Sequence, residues 1–156
     1  MKKIKWTDLI IFIVTAELVG VLSALLSGQH KELFNDLKQP PLAPPAAVFP
    51  IVWAILYALM GIGAYLVYVS EDSGIRTFSL RVYTIQLAVN FSWSIIFFRF
   101  ELLGLAAVVA VLLAVLVAVM VWAFYKTRPL AGTINLPYLA WSIFAAYLAI
   151  GNAVLN

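Results

Sequence analysis

No cysteine occurs anywhere in the 156 residues. That absence removes disulfides, thiolate nucleophiles and cysteine-ligated metals together. The chain has a single histidine, His30, which cannot build a multi-histidine site, so no metal is expected. Charge is also scarce: Lys, Arg, Asp and Glu make up 11% of the residues and hydrophobic types 65%. A soluble domain carries about 25% and about 45–50% respectively, and at this size it buries only about 70% of its unfolded surface. The apolar surplus would be left facing water. Lipid is the solvent that suits it. The net charge of +3 is scattered between apolar runs and forms no patch for nucleic acid.

A helix crosses a hydrocarbon core of about 30 Å with roughly 20 residues. Five runs of that order stand between polar punctuation, over about residues 8–27, 46–69, 77–98, 102–125 and 130–153. The expected fold is an all-α membrane protein, a single five-transmembrane-helix bundle spanning residues 1–156. A signal peptide is the other reading of the first run, but such apolar cores span about 7–15 residues. The length of the run and Glu17 within it favour a retained helix. One connection is long, residues 28–45. Its first half, with His30, Lys31, Glu32, Asp36 and Lys38, suits a short surface helix. Its second half, with Pro40, Pro41, Pro44 and Pro45, must be extended, because proline lacks an N–H and pushes its predecessor out of helical space.

Basic residues set the expected orientation. Lys2, Lys3, Lys5, Arg76, Arg81, Lys126 and Arg128 fall on one side and Lys31, Lys38 and Arg99 on the other, seven against three. The rule that cytoplasmic loops are basic predicts a cytoplasmic N-terminus, with the first loop and the C-terminus outside the cell (plasma) membrane.

Polar groups inside spans must find partners, which makes them functional candidates. Gln86, Asn90, Trp93 and Phe97 recur at intervals of four, three and four, which is one helical face. Two readings fit: the amides hydrogen-bond neighbouring helices, or they line a cavity. At 1.5 Å per residue, Trp53 lies roughly 10 Å, Asn90 roughly 12 Å and Trp141 roughly 18 Å below the outer ends of their helices. Trp6 and Trp122 sit where a membrane-interface belt would place them, whereas Trp53 and Trp141 are too deep. Glu17 is the acid well inside a span; it could be protonated, pair across the bundle or sit at an oligomer contact, and a structural role is favoured. Ala106, Ala110, Ala114 and Ala118 make a strip for close helix approach, within the bundle or between copies. Pro50 and Pro137 are expected to kink or open the second and fifth helices, which could widen a cavity between them or be a kink without a ligand.

Three motifs carry a family resemblance. The first runs from Pro40-Pro41-Leu42-Ala43-Pro44-Pro45 through Val48-Phe49-Pro50-Ile51-Val52-Trp53-Ala54-Ile55-Leu56-Tyr57 to Met60-Gly61. The second is Gln86-Leu87-Ala88-Val89-Asn90-Phe91-Ser92-Trp93 with Ile96-Phe97-Phe98, and the third Pro137-Tyr138-Leu139-Ala140-Trp141 with Phe144-Ala145. In this order and over nearly the whole chain they resemble the TspO/MBR family, the translocator or tryptophan-rich sensory proteins. The resemblance implies a five-helix bundle, often a homodimer, with a pocket toward the first loop that accepts porphyrins, haem-like tetrapyrroles and aromatic ligands. Matched by motif, the ligand-binding residues are Trp53, Gln86, Asn90, Trp93, Trp141 and Ala145, with Tyr57 and Leu148 nearby.

The implied function is a membrane receptor or transporter for tetrapyrroles, linked to tetrapyrrole handling or stress signalling, with porphyrin or haem as ligand and no required cofactor. A second implied reading is light-dependent porphyrin breakdown using Trp53 and Trp141; no acid/base pair, nucleophile or metal motif supports conventional catalysis. A third is a structural protein whose cavity holds lipid. Two departures from the family pattern stand out: Leu42 where tryptophan is frequent, and Gln39 where a basic residue is usual. No Lys or Arg follows Arg128, so the sterol-recognition stretch of animal members is missing and a sterol role is not expected. The short chain, lysine-rich start and missing stretch point to a bacterial source.

Overall fold

The structure, a computed structural model, describes residues 4–28 and 31–156. Lys2, Lys3 and His30, which enter the orientation and loop readings above, lie outside them. Every regular element among the described residues is helical: α1 Trp6–Ser27, α2 Lys31–Asp36, α3 Val48–Tyr68, α4 Gly74–Ser94, α5 Leu103–Thr127, α6 Pro129–Ile134 and α7 Leu136–Leu155. A π turn, Ile95–Arg99, extends α4.

Local chemistry sets the ends. α1 carries Asp8 in its first turn, where the helix dipole favours an acid, and stops at Gly28, whose φ of 79° suits glycine. The Ser73 hydroxyl caps α4 by accepting from the Arg76 N–H at 3.2 Å. Arg76 also pairs with Asp72 at 3.1 Å and donates twice to the Tyr68 carbonyl, which fixes the α3–α4 turn. α2 is the expected short helix at the start of the first loop.

Four helical segments are long and apolar enough to cross a membrane: α1, α3, α5 and the Pro129–Leu155 run formed by α6 and α7. Of the five spans expected, α4 does not join that group. It has 21 residues, as many as α3, but carries Arg76, Arg81, Gln86 and Asn90. Three of its polar groups are turned inward: Ser79, Gln86 and Asn90 are buried. Outward-facing Ile10, Val14, Leu18, Val108, Val115 and Ile143 are all exposed and form the surface that lipid would cover.

Small residues decide which helices touch. A Cβ added to Gly61 of α3 would lie 2.7 Å from the Ile13 Cα of α1, so these two helices meet backbone to backbone. Ala107 and Ala110 of α5 cluster with Ala146 and Ala149 of α7. The alanine strip is thus used inside the chain over Ala106 and Ala110, both buried, while Ala118 is exposed. The Ser23 hydroxyl donates to the Phe91 carbonyl at 2.8 Å and ties α1 to α4. Glu17 is half-buried on α1 and makes no ion pair among the described residues.

The two prolines behave differently. Pro50 is the third residue of α3, in the first turn, where its missing N–H has no partner to lose, and the helix is unbroken. Pro137 also sits in a first turn, because the fifth span is broken at Asn135 between α6 and α7. The Asn135 amide fills the break, donating to the Ala131 carbonyl at 2.9 Å and to the Leu59 carbonyl of α3 at 3.4 Å. Replacing Gly61 by valine is predicted to push α1 off α3 and cost about 1–3 kcal/mol, the range for overpacking a core. A melting temperature in detergent equal to that of the unmodified protein would rule out the backbone contact.

Candidate ligand-binding site

α3 presents Trp53, Tyr57 and Met60 at i, i+4 and i+7, one face of a helix. α4 presents Gln86 and Asn90, and α7 presents Tyr138 and Trp141. These side chains meet in a directed chain of hydrogen bonds. The Tyr57 hydroxyl donates to Asn90 Oδ1 at 3.0 Å, Asn90 Nδ2 donates to the Tyr138 hydroxyl at 2.9 Å, and that hydroxyl donates to Gln86 Oε1 at 2.7 Å. Gln86 Nε2 then points at Met60 Sδ, 3.5 Å away. Gln86 and Tyr138 are wholly inaccessible, and Tyr57 and Asn90 nearly so. Both amides are therefore engaged by protein: the reading in which they hydrogen-bond neighbouring helices describes their geometry.

Aromatic rings surround this chain. Trp53 leans on Tyr57, with centroids 5.8 Å apart, and meets Tyr138 edge to face at 6.1 Å. A second series climbs toward the first loop. Phe34 of α2 packs on Phe49 at 5.3 Å, Phe49 on Trp141 at 5.8 Å, and Trp141 on Phe144 at 5.5 Å.

Between α3 and α7 lies a cleft of about 450 Å³, lined by Val52, Ile55, Leu56, Pro137, Ala140, Trp141 and Phe144. Ile55, Pro137 and Ala140 are exposed, so the cleft opens sideways, on the surface that lipid would cover. The Trp141 Nε1 is buried and has no hydrogen-bond partner. An indole N–H left without an acceptor costs about 1–3 kcal/mol.

The first loop closes the end of the bundle above the cleft. The Lys38 N–H donates to Asn156 Oδ1 at 2.9 Å, and Asn156 Nδ2 returns a bond to the Lys38 carbonyl at 3.1 Å. The Tyr147 hydroxyl donates to the Pro41 carbonyl at 2.7 Å. Pro40 rests on Gly151, where an added Cβ would come within 2.5 Å of the proline ring. The loop turns at Pro40–Ala43, closed by the Ala43 N–H on the Pro40 carbonyl at 3.2 Å, with Leu42 at φ 70° and 85% exposed. Left-handed backbone at that turn position normally selects glycine or asparagine.

The expected site residues are thus distributed over three places. Trp141 lines the cleft; Trp53, Tyr57, Gln86 and Asn90 form the hydrogen-bonded and aromatic wall behind it. Trp93 turns the other way: its Nε1 donates to the Ala106 carbonyl of α5 at 3.0 Å and its ring stacks on Phe97 at 5.0 Å. Ala145 is half-buried and Leu148 buried on α7, and neither lines the cleft. Sequence reasoning omitted Tyr138, although it stands three places before Trp141 and so on the same helical face. It also omitted Val52, Ile55, Leu56 and Phe144, whose apolar types carry no signal distinguishing a cleft from a core.

Removing the Tyr138 hydroxyl strands a donor on Asn90 and an acceptor on Gln86. Tyr138→Phe is expected to lower stability by about 1–3 kcal/mol, the cost of buried unsatisfied polar groups. Thermal unfolding in detergent checks this, and the double variant Tyr138→Phe with Asn90→Leu should lose less than the two changes summed.

Comparison with known proteins agrees with this architecture. The TspO/MBR family pattern matches residues 12–155. The tryptophan-rich sensory protein of Cereibacter sphaeroides is 33% identical over 143 residues, 92% of this chain and 87% of that one. The translocator protein of Sus scrofa is 33% identical over 149 residues, 92% of this chain and 86% of that one. The human translocator protein is 36% identical over 129 residues, 81% and 76% of the two chains. With its apolar helices, its closed first loop and a match over nearly its whole length, the chain belongs to the TspO/MBR family of membrane proteins.

Proposed function

We propose that this protein is a five-span receptor or transporter of the cell membrane that holds a porphyrin or haem-like tetrapyrrole in the cleft between α3 and α7. α4 serves as the additional span, with the N-terminus cytoplasmic and the first loop and C-terminus outside. The chain works as a homodimer in tetrapyrrole handling or stress signalling, with the tetrapyrrole as ligand and not as a resident cofactor.

One observation carries this reading: Trp141, whose buried indole N–H has no partner, lines an apolar cleft beside the Phe144 ring. A flat macrocycle with polar edge groups offers an aromatic face to stack and an acceptor for that N–H. Tyr57, Gln86 and Asn90 act from behind, by holding Tyr138 and hence the Trp53 ring in place. Trp93, Ala145 and Leu148 support the far side of the bundle.

Titrating the detergent-solubilised protein with protoporphyrin IX should quench tryptophan fluorescence to saturation. Trp141→Phe keeps a ring and loses the N–H, and should weaken binding roughly tenfold, about one hydrogen bond. Trp122→Phe, on the opposite side of the fifth span, should change nothing. Quenching that rises linearly without saturating would sink the proposal in favour of a lipid-filled cleft.

A further inference from the structure

A second groove, of about 370 Å³, lies between the last turns of α5 and the α6–α7 break, lined by Ala118, Val121, Trp122, Tyr125, Gly132 and Leu139 among others. It runs along the helices from Tyr125 to Ala118, roughly 10 Å at 1.5 Å per residue. Trp122 and Tyr125 at its shallow part are 53% and 54% exposed, the position and type of residue that mark a membrane interface. The next residues bear charge. Lys126 lies in the last turn of α5, and Arg128 ends α5 and begins α6; both are exposed.

These two cations pair with no acid among the described residues. No Asp or Glu follows Glu101 in the sequence. Asp72, in the turn at the same end of the bundle, is held by Arg76 at 3.1 Å, and Lys126 and Arg128 form no ion pair among the described residues. An apolar furrow that ends at two exposed aromatic residues, followed directly in the chain by two exposed cations, has the chemistry of one kind of ligand. We propose that this groove seats an anionic phospholipid, with an acyl chain along Ala118, Val121 and Leu139 and the phosphate over Lys126 and Arg128. A free anion would make no use of the furrow. A second copy of the chain would have to bring an acid to the cations, and at this end of the bundle it has Asp8, Glu71 and the already paired Asp72.

The test is native mass spectrometry of the full chain in detergent with equimolar phosphatidylglycerol and phosphatidylcholine of the same acyl composition. Phosphatidylglycerol should be retained preferentially. Each of Lys126→Gln and Arg128→Gln should reduce that preference by about fivefold, the effect of one surface cation on an anionic lipid, and the double variant should bring it near parity. Arg81→Gln, an exposed cation near the same end but away from the groove, should leave it unchanged. Ala118→Leu, which fills the furrow, should lower retention of phosphatidylglycerol. Equal retention of both lipids by the unmodified protein overturns the proposal, as does a preference that survives in the double variant. Displacement of the lipid by inorganic phosphate alone would reassign the cations to a free-anion site. An Ala118→Leu variant that dissociates an oligomer yet keeps the lipid preference would reassign the groove to contact between copies.

Discussion

A polar side chain buried in a hydrocarbon medium has no water to fall back on, and the bundle is organised around meeting that demand. The hydrogen-bond chain from Tyr57 to Asn90, Tyr138 and Gln86 begins on α3, crosses to α4, reaches α7, returns to α4 and ends at Met60 on α3. A circuit that leaves and re-enters the same helix fixes the separation and rotation of three helices at once. Tyr138 is the piece that makes this possible, because a hydroxyl can accept from one amide while donating to another. Bonds arranged head to tail polarise one another, so the set is stiffer than its members taken singly. Asn135 applies the same logic one turn earlier, bonding the Leu59 carbonyl and thereby binding the break in the fifth span to α3.

The cleft follows from a conflict that these bonds leave on α7. Below Trp141, Asn135 and Tyr138 hold the fifth span to α3 and α4. Toward the loop, Ala146 and Ala149 draw it onto Ala107 and Ala110 of α5, where small side chains permit close approach. α7 therefore packs on α5 more than on α3, and the space left beside α3 is bordered by large rings, Trp141 and Phe144. A proline at position 137 is compatible with this course because the break at Asn135 makes it a first-turn residue.

How legible all this was in the sequence depends on what each residue's chemistry restricts. Apolar run length and the proline-rich loop located the helices to within a few residues, since both follow from local chain physics. The inward turn of α4 was legible from Gln86 and Asn90 four residues apart, because amides cannot face lipid. Their partners were not, since a tyrosine in a span reads equally as packing, belt or hydrogen-bond donor, and Tyr138 becomes distinctive only when α3 and α4 are placed beside it. Trp93 shows the limit of periodicity: it shares a helical face with Asn90 to within one turn, yet the π turn that begins two residues later and the proximity of Ala106 direct its N–H to α5. The α3–α7 cleft was legible only as a cavity that Pro50 and Pro137 could widen between the second and fifth spans; its lining was not, because Val52, Ile55, Leu56 and Phe144 are residues typical of any core.

The loop contacts bear on how the cleft communicates with its surroundings. Opening at the loop end means breaking both Lys38–Asn156 bonds and the Tyr147–Pro41 bond, lifting Pro40 from Gly151, and separating Phe34 from Phe49. The side between α3 and α7 has no comparable closure: its edge residues Ile55, Pro137 and Ala140 are exposed, and none donates or accepts a side-chain hydrogen bond across the gap. The cost of exchange is consequently lower through the flank that faces lipid than through the loop. The flank between α3 and α7 is open without disturbing the loop, whereas the loop end is held by contacts that tie Lys38 and Pro41 to Asn156 and Tyr147.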